Sequence, residues 1–363
     1  MKKTRIIAIA LLVLFAGLMI IKGCSEGPDE NKDPKVDTLP EVIAPTFSAD
    51  SAYVYVKRQV DFGPRVPNTE GHKICGDYLA NTLRSFGATV IEQTAKVKAW
   101  NGANLDMRNI IGQFNPQAKR RILLCAHWDT RPYADKDSLE SNYRKPILGA
   151  NDGASGVGVL IEVARQLQLQ PMNEKIGIDI VFFDAEDYGR PEFEKNRYDP
   201  EVDSEAAYEE AQQDMMSWCL GSQYWSQRPH VGGYRAQYGI LLDMVGARHA
   251  KFYKEGYSMK YAPNIVNKVW AAASKAGYGD VFVSQQVGGI FDDHLPINEI
   301  AGIPTVNIVQ FGPSTQVMGL QPDDEKETFG FYHHTMFDNM DVIDASTLNA
   351  VGQTILQVIY GEK

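Results

Sequence analysis

The chain has 363 residues, 44% of them hydrophobic and 23% charged, which is ordinary globular composition and enough to bury a substantial core in one large or two average domains. The formal net charge is -10. An acidic chain argues against nucleic acid as a partner and suits cationic ligands such as metal ions or peptide N-termini.

The N-terminus opens with Lys2, Lys3 and Arg5, followed by an uncharged run from Ile6 to Ile21. Gly23-Cys24 and a polar stretch come next, so residues 1–23 read as an export signal. Ile21-Lys22-Gly23-Cys24 resembles a bacterial lipoprotein cleavage box, with Lys22 off-pattern and Cys24 as the lipidated residue. The alternative is an uncleaved anchor, although 16 apolar residues fall short of the roughly 20 that span a bilayer. The expectation is an exported protein held by a lipid anchor at a membrane, the outer membrane of a bacterium, facing periplasm or cell surface. Without the signal the charge becomes -14. Residues 24–45, rich in Pro, Asp, Glu and Lys, read as a flexible tether. If Cys24 is lipidated, Cys75, Cys125 and Cys219 remain and at most one disulfide is open to them.

From Ser48 the pattern predicts a helix through Val60, capped by Ser48 or Asp50, and a second over Thr69–Phe86 ended by Gly87. Residues 88–97 and 105–114 read as strands in an edge hairpin, and 122–126 as a buried strand. A helix over 154–168, a buried strand at Ile176–Phe183, and a helix over 205–227 follow. The chain ends in a strand at 240–242, a helix over 261–276, a strand at 304–309 and a helix over 345–360. Fully apolar strands alternating with helices mean an α/β fold: a mostly parallel central sheet flanked by helices on both faces. No composition break follows residue 46, so 46–363 is read as a single catalytic domain.

In open α/β sheets ligands gather beyond the carboxyl ends of the strands. His127-Trp128-Asp129 follows the first buried strand, Asp184 and Glu186-Asp187 the second, Asp243 the third, and His333-His334 the strand at 304–309 after a loop. Asp152 lies in Gly149-Ala150-Asn151-Asp152-Gly153, just before a helix. One such residue is more often a structural hydrogen-bonder than a ligand. Five converging positions are different, because clustered carboxylates repel unless a cation compensates. Histidine with carboxylates and no cysteine suits catalytic zinc.

The ordered set His-x-Asp, Asp, acid pair, Asp, His resembles the zinc aminopeptidase superfamily. Two further stretches, Phe291-Asp292-Asp293-His294-Leu295-Pro296 and His334-Thr335-Met336-Phe337-Asp338-Asn339, are similar to motifs of its glutaminyl cyclase branch. The resemblance spans roughly residues 50–360. It implies one zinc per chain held by Asp152, Asp187 and His334, with Glu186 as general base and Asp243 and Asp292 sharing the proton handling. His127 and Asp129 would lie just outside the metal or serve a second ion. The implied reaction converts the N-terminal Gln of peptides or proteins to pyroglutamate with release of ammonia. Trp218, Phe291, Phe329 and His333 are candidate substrate contacts; for the aromatics core packing is the competing reading. Asp187 stands where the family more often has Glu, and His333 and Phe291 depart from the animal enzymes' Trp and Gln. Asp293 and His294 read as supports of a helix start.

Two other readings stay open. A second zinc on His127 and Asp243 would make a di-zinc aminopeptidase hydrolysing N-terminal residues, and a chain that kept the fold without activity would be a binding module. Residues 188–214 form an acidic insertion (Glu192, Glu194, Asp199, Glu201, Asp203, Glu205, Glu209, Glu210) that reads as a solvated loop ahead of a calcium site, or as a wall of the pocket.

Overall fold

A computed structural model describes residues 43–195, 204–313 and 327–362. The signal at 1–23, Cys24, most of the tether and the centre of the acidic insertion (Asp199, Glu201, Asp203) lie outside the described residues. Where the description begins, the chain is already held. Ala44 is buried, and the carbonyls of Ile43 and Pro45 accept from Gln170 and Gln353.

Helices α1 (Ala49–Val60) and α2 (Glu70–Ser85) start where the sequence places them, with Ser48 and Thr69 accepting from the backbone N–H three residues on. Strands β1 (Thr89–Lys98) and β2 (Asn104–Phe114) form the expected antiparallel edge hairpin. The chain continues through β3 (Arg120–His127), α3 (Ala154–Leu169) and β4 (Ile176–Phe183). It then runs through α4 (Ser204–Met216), α5 (Leu220–Gln227), β5 (Tyr238–Asp243), β6 (Phe252–Lys254) and α6 (Gly256–Tyr261). The last elements are α7 (Pro263–Lys275), β7 (Phe282–Gln286), β8 (Thr305–Val309) and α8 (Ala345–Tyr360).

The main sheet has the order β1-β2-β4-β3-β5-β8. β4, β3, β5 and β8 run parallel, and β2 joins β4 antiparallel. Both faces of the parallel strands are dry, which is why those strands read as unbroken apolar runs. Ile122, Leu124 and Ala126 of β3 point into one core with α1, α2, α3, α7 and α8; Leu123 and Cys125 point into the other with Trp225 of α5 and Ile297. β6 and β7 form a small parallel sheet of their own.

The helix predicted over 205–227 is two helices. Cys219 adopts a left-handed conformation (φ 56°), and its N–H and that of Leu220 donate to the carbonyls of Glu186 and Ala185. Tertiary hydrogen bonds to the β4 end override local helix propensity there. The three described cysteines are free and buried, so no disulfide forms among them.

Candidate active site

The parallel strands deliver their C-terminal residues to one end of the sheet, where a cleft of 360 Å³ opens. Asp152, Glu186, Trp218, Asp243, Phe291, Asp292, Phe329, His333 and His334, all singled out from sequence, line it. Asp187, His127 and Asp129 are buried behind that lining.

His334 Nε2 stands 3.2 Å from Asp187 Oδ1 and 3.6 Å from Asp152 Oδ2. Asp152 Oδ2 and both Asp187 oxygens are buried without a hydrogen-bond partner. Burial and Asp152 push the Asp187 carboxyl well up, while burial and the His333 ring beside it hold His334 well below its usual range. Neutral imidazole beside orphaned carboxylates is a donor set suited to a divalent cation, which would supply the charge these acids lack. Ligand atoms of Asp152, His333 and His334 also lie within 4.8 Å of one another, so His333, read from sequence as a substrate contact, stands within reach of the same ion.

A second group joins His127, Asp152 and Asp243. His127 Nε2 is 3.0 Å from Asp152 Oδ1 and 3.2 Å from Asp243 Oδ1. Asp129 is 3.6 Å from His127 Nδ1 and also accepts from the backbone N–H groups of Glu186 and Asp187 at 3.0 and 3.2 Å, fixing the acid pair. A third group is Glu186, Cys219 and Asp292. Cys219 Sγ donates to Glu186 Oε1 at 3.2 Å, and Asn307 Nδ2 donates to Asp292 Oδ2 at 2.6 Å. Burial raises Glu186 well above the usual carboxylate range, and Asp187 and Asp292 add to it; burial takes Asp243 to about 7.

The backbone is strained where it turns into the site. Ala185, Cys219, Met244 and His334 are non-glycine residues in the left-handed region, each a ligand candidate or a neighbour of a site acid. Such conformations persist only where surrounding contacts enforce them. The entry to α3 needs its glycines for approach: a Cβ on Gly153, just before the helix, would meet the Asp129 carbonyl at 2.6 Å, and one on Gly156, in its first turn, the Leu242 carbonyl at 2.3 Å.

Asp184 does not join the site. It turns away to His72 Nε2 (2.9 Å) and the Arg108 N–H, because residue 184 points to the opposite side of the strand end. Asp293 and His294 do stand at a helix start, the single turn His294–Pro296, where both are fully buried and the Asp293 side chain makes no cap hydrogen bond. Sequence reasoning missed Asp338, whose carboxylate accepts from the N–H groups of Asn151 and Asp152 at 2.7 and 3.0 Å and so sets the Asp152 loop. It sits inside the quoted 334–339 motif, which was the available signal. Arg131 was missed as well: it forks onto Asp135 at 2.7 Å twice and lies 4.6 Å over Trp218, whose other neighbour is the His334 ring, stacked at 5.8 Å. The insertion contributes Glu192, Lys195, Ala211 and Asp214 to the cleft, with Met215 just beyond the insertion, so its described part is a wall, and residues 204–216 are helical rather than loop.

The model for Peptidase family M28 matches residues 109–359. The crystal structure of Bacteroides thetaiotaomicron glutaminyl cyclase bound to N-acetylhistamine is 52% identical, with TM-score 0.78, covering 88% of this chain and 100% of that one. Aminopeptidase YwaD of Bacillus subtilis is 26% identical over 310 residues, 82% of this chain and 54% of that protein. The glutaminyl-peptide cyclotransferase of Drosophila melanogaster is 27% identical over 231 residues, 61% and 57% of the respective chains. The chain thus spans little more than half the length of these two curated relatives.

Proposed function

We propose, from the premise that the chain belongs to peptidase family M28, that it is a zinc-dependent glutaminyl-peptide cyclotransferase acting on peptides or proteins with N-terminal Gln. The observation that carries this reading is a second acid beside the base. Asp292 and Glu186 offer oxygens within 4.8 Å of each other in the cleft that also holds the metal-type donors. In hydrolysis the base activates a water, whereas in cyclisation the substrate's own α-amine is the nucleophile, so the site must orient and deprotonate that nitrogen beside the amide nitrogen that leaves, a task two adjacent acids suit. The likeness to the Bacteroides thetaiotaomicron glutaminyl cyclase at 52% identity supports the same reading over the aminopeptidase alternative.

Asp152, Asp187 and His334 would hold one zinc. Bound zinc supplies Lewis-acid polarisation of the substrate's γ-carbonyl oxygen. The protein positions the α-amine against the γ-carboxamide carbon, and because both groups are tethered in one residue the reaction is unimolecular once the chain is folded toward the ring. Glu186 takes a proton from the α-amine as the new N–C bond forms, and returns it to the amide nitrogen as the old C–N bond breaks and ammonia leaves. Its proton affinity, raised by burial and the neighbouring acids, suits a group that must both take and return a proton. Asp243 and Asp292 accept hydrogen bonds from the substrate nitrogens. Trp218, Phe291, Phe329 and His333 wall the cleft around the side chain.

The basic start, the apolar run and Cys24 support export and lipid anchoring at a membrane, so the substrates are exported chains whose first mature residue is Gln. Cys24→Ala would then leave the protein out of the detergent phase. The deciding experiment for the activity is ammonia release from Gln-Ala by residues 25–363, beside Leu-p-nitroanilide. Ammonia without nitroaniline supports the cyclase; nitroaniline release overturns it.

A further inference from the structure

Glu255 is fully buried at the N-terminus of α6 and accepts from the N–H groups of Tyr257 and Ser258, each at 2.7 Å. Those two bonds would complete an ordinary cap, and a short polar side chain could make them. Glu255 accepts three more. Oε1 takes the Ile290 N–H at 2.8 Å, and Oε2 takes the Ser258 hydroxyl at 2.7 Å and His294 Nε2 at 3.1 Å.

Ile290 and His294 stand two residues before and two after Asp292. One carboxylate therefore grips the segment on both sides of the acid. A third route arrives from β8: the Ser258 hydroxyl accepts from the Asn307 N–H at 2.9 Å, and Asn307 Nδ2 donates to Asp292 Oδ2. A carboxylate buried this completely is costly unless every oxygen is engaged, and here every donor belongs either to α6 or to the frame of Asp292.

The geometry points to Glu255 as a positioning residue for Asp292, clamping Ile290 and His294 and setting Asn307 through Ser258. The inference rests on the cyclase reading, in which Asp292 faces the substrate; Glu255 touches neither substrate nor metal-type donors. Positioning of this kind acts on turnover, because small displacements of a reacting partner are expensive in rate.

The test is Glu255→Gln. Whichever way the amide turns, its NH2 faces at least one backbone N–H that can only donate (Ser258 on one side, Tyr257 and Ile290 on the other), so the clamp is weakened while size is kept. Ammonia release from Gln-Ala should show kcat lowered about 10- to 100-fold, the magnitude typical of removing a supporting partner, with KM and bound zinc unchanged. In an Asp292→Asn background the same substitution should cost nothing further, since the group it positions is already disabled. An unchanged kcat, a loss confined to KM, or an equal loss in both backgrounds overturns the proposal. If Glu255→Gln does not fold, Ser258→Ala decides: it removes one hydroxyl bridge, should lower kcat several-fold, and overturns the clamp if kcat is unaltered. Failure of the unsubstituted protein to release ammonia would instead sink the cyclase reading, and Asp292's role with it.

Discussion

His127 and Asp243 meet across neighbouring parallel strands, Nε2 to Oδ1 at 3.2 Å, with Asp152 Oδ1 at 3.0 Å from the same nitrogen. If Asp152, Asp187 and His334 hold a single metal, as proposed above, His127 keeps both of these contacts when the metal binds; a second ion would have to displace them. We expect about one zinc per chain by elemental analysis, and His127→Ala should keep it. A drop from two equivalents to one on that substitution would instead reveal the di-zinc hydrolase site.

Asp187 makes the metal's role testable without any substrate. Its oxygens are buried without a hydrogen-bond partner, the Arg131 guanidinium stands 3.5 Å from Oδ1, and burial with Asp152 raises its pKa. A carboxylate whose folded pKa is raised binds its proton more tightly in the folded state. The metal-free protein then loses stability as pH rises above the ordinary carboxylate value near ~3.9, through the raised one. Asp187→Asn removes that slope. At neutral pH it should abolish the rise in melting temperature that zinc gives the unsubstituted chain, because the ligand set loses a charged member. Zinc stabilising both proteins equally would exclude Asp187 as a ligand.

Glu186 should separate chemistry from metal binding. Glu186→Gln is expected to lower kcat by about 10²- to 10⁴-fold while zinc content and fold persist. A base must be ionised to act, so activity falls as pH drops through its pKa. Because burial and the neighbouring acids raise that pKa, the acid limb of the unsubstituted enzyme should lie above the usual carboxylate range. A limb near pH ~4 would point to a solvated base elsewhere.

These residues were legible because two periodicities coincide. Strands buried on both faces write themselves as apolar runs, and the α/β rule places ligands just beyond them, so Glu186, Asp243 and His127 could be found without coordinates. What could not be read depends on contacts remote in sequence. Asp184 follows the same strand as Glu186, yet it turns to His72, 112 residues away. Cys219 breaks a helix that propensity continues, because its N–H is taken by the Glu186 carbonyl. Glu255 opens a six-residue helix that carries no apolar stripe of its own, and its partner His294 lies 39 residues on.

The wall built by the insertion gives the last test. Gly189 follows the acid pair, and a Cβ there would meet Trp218 Cε2 at 2.0 Å and Cδ2 at 2.1 Å. The indole cannot yield easily, since the Arg131 guanidinium lies 4.6 Å over it and the His334 ring stacks beside it at 5.8 Å with planes 8° apart. Gly189→Ala must therefore push Trp218 out of the cleft or strain the Glu186-Asp187 turn, at about 1–3 kcal/mol for overpacking. If Trp218 contacts substrate, KM for Gln-peptides rises and Trp218→Leu adds little on top of Gly189→Ala, because the same wall is already lost. If Trp218 only braces His334, zinc affinity falls instead while KM of the zinc-saturated enzyme stays put, so titrating zinc and measuring KM on the same variant separates the two roles.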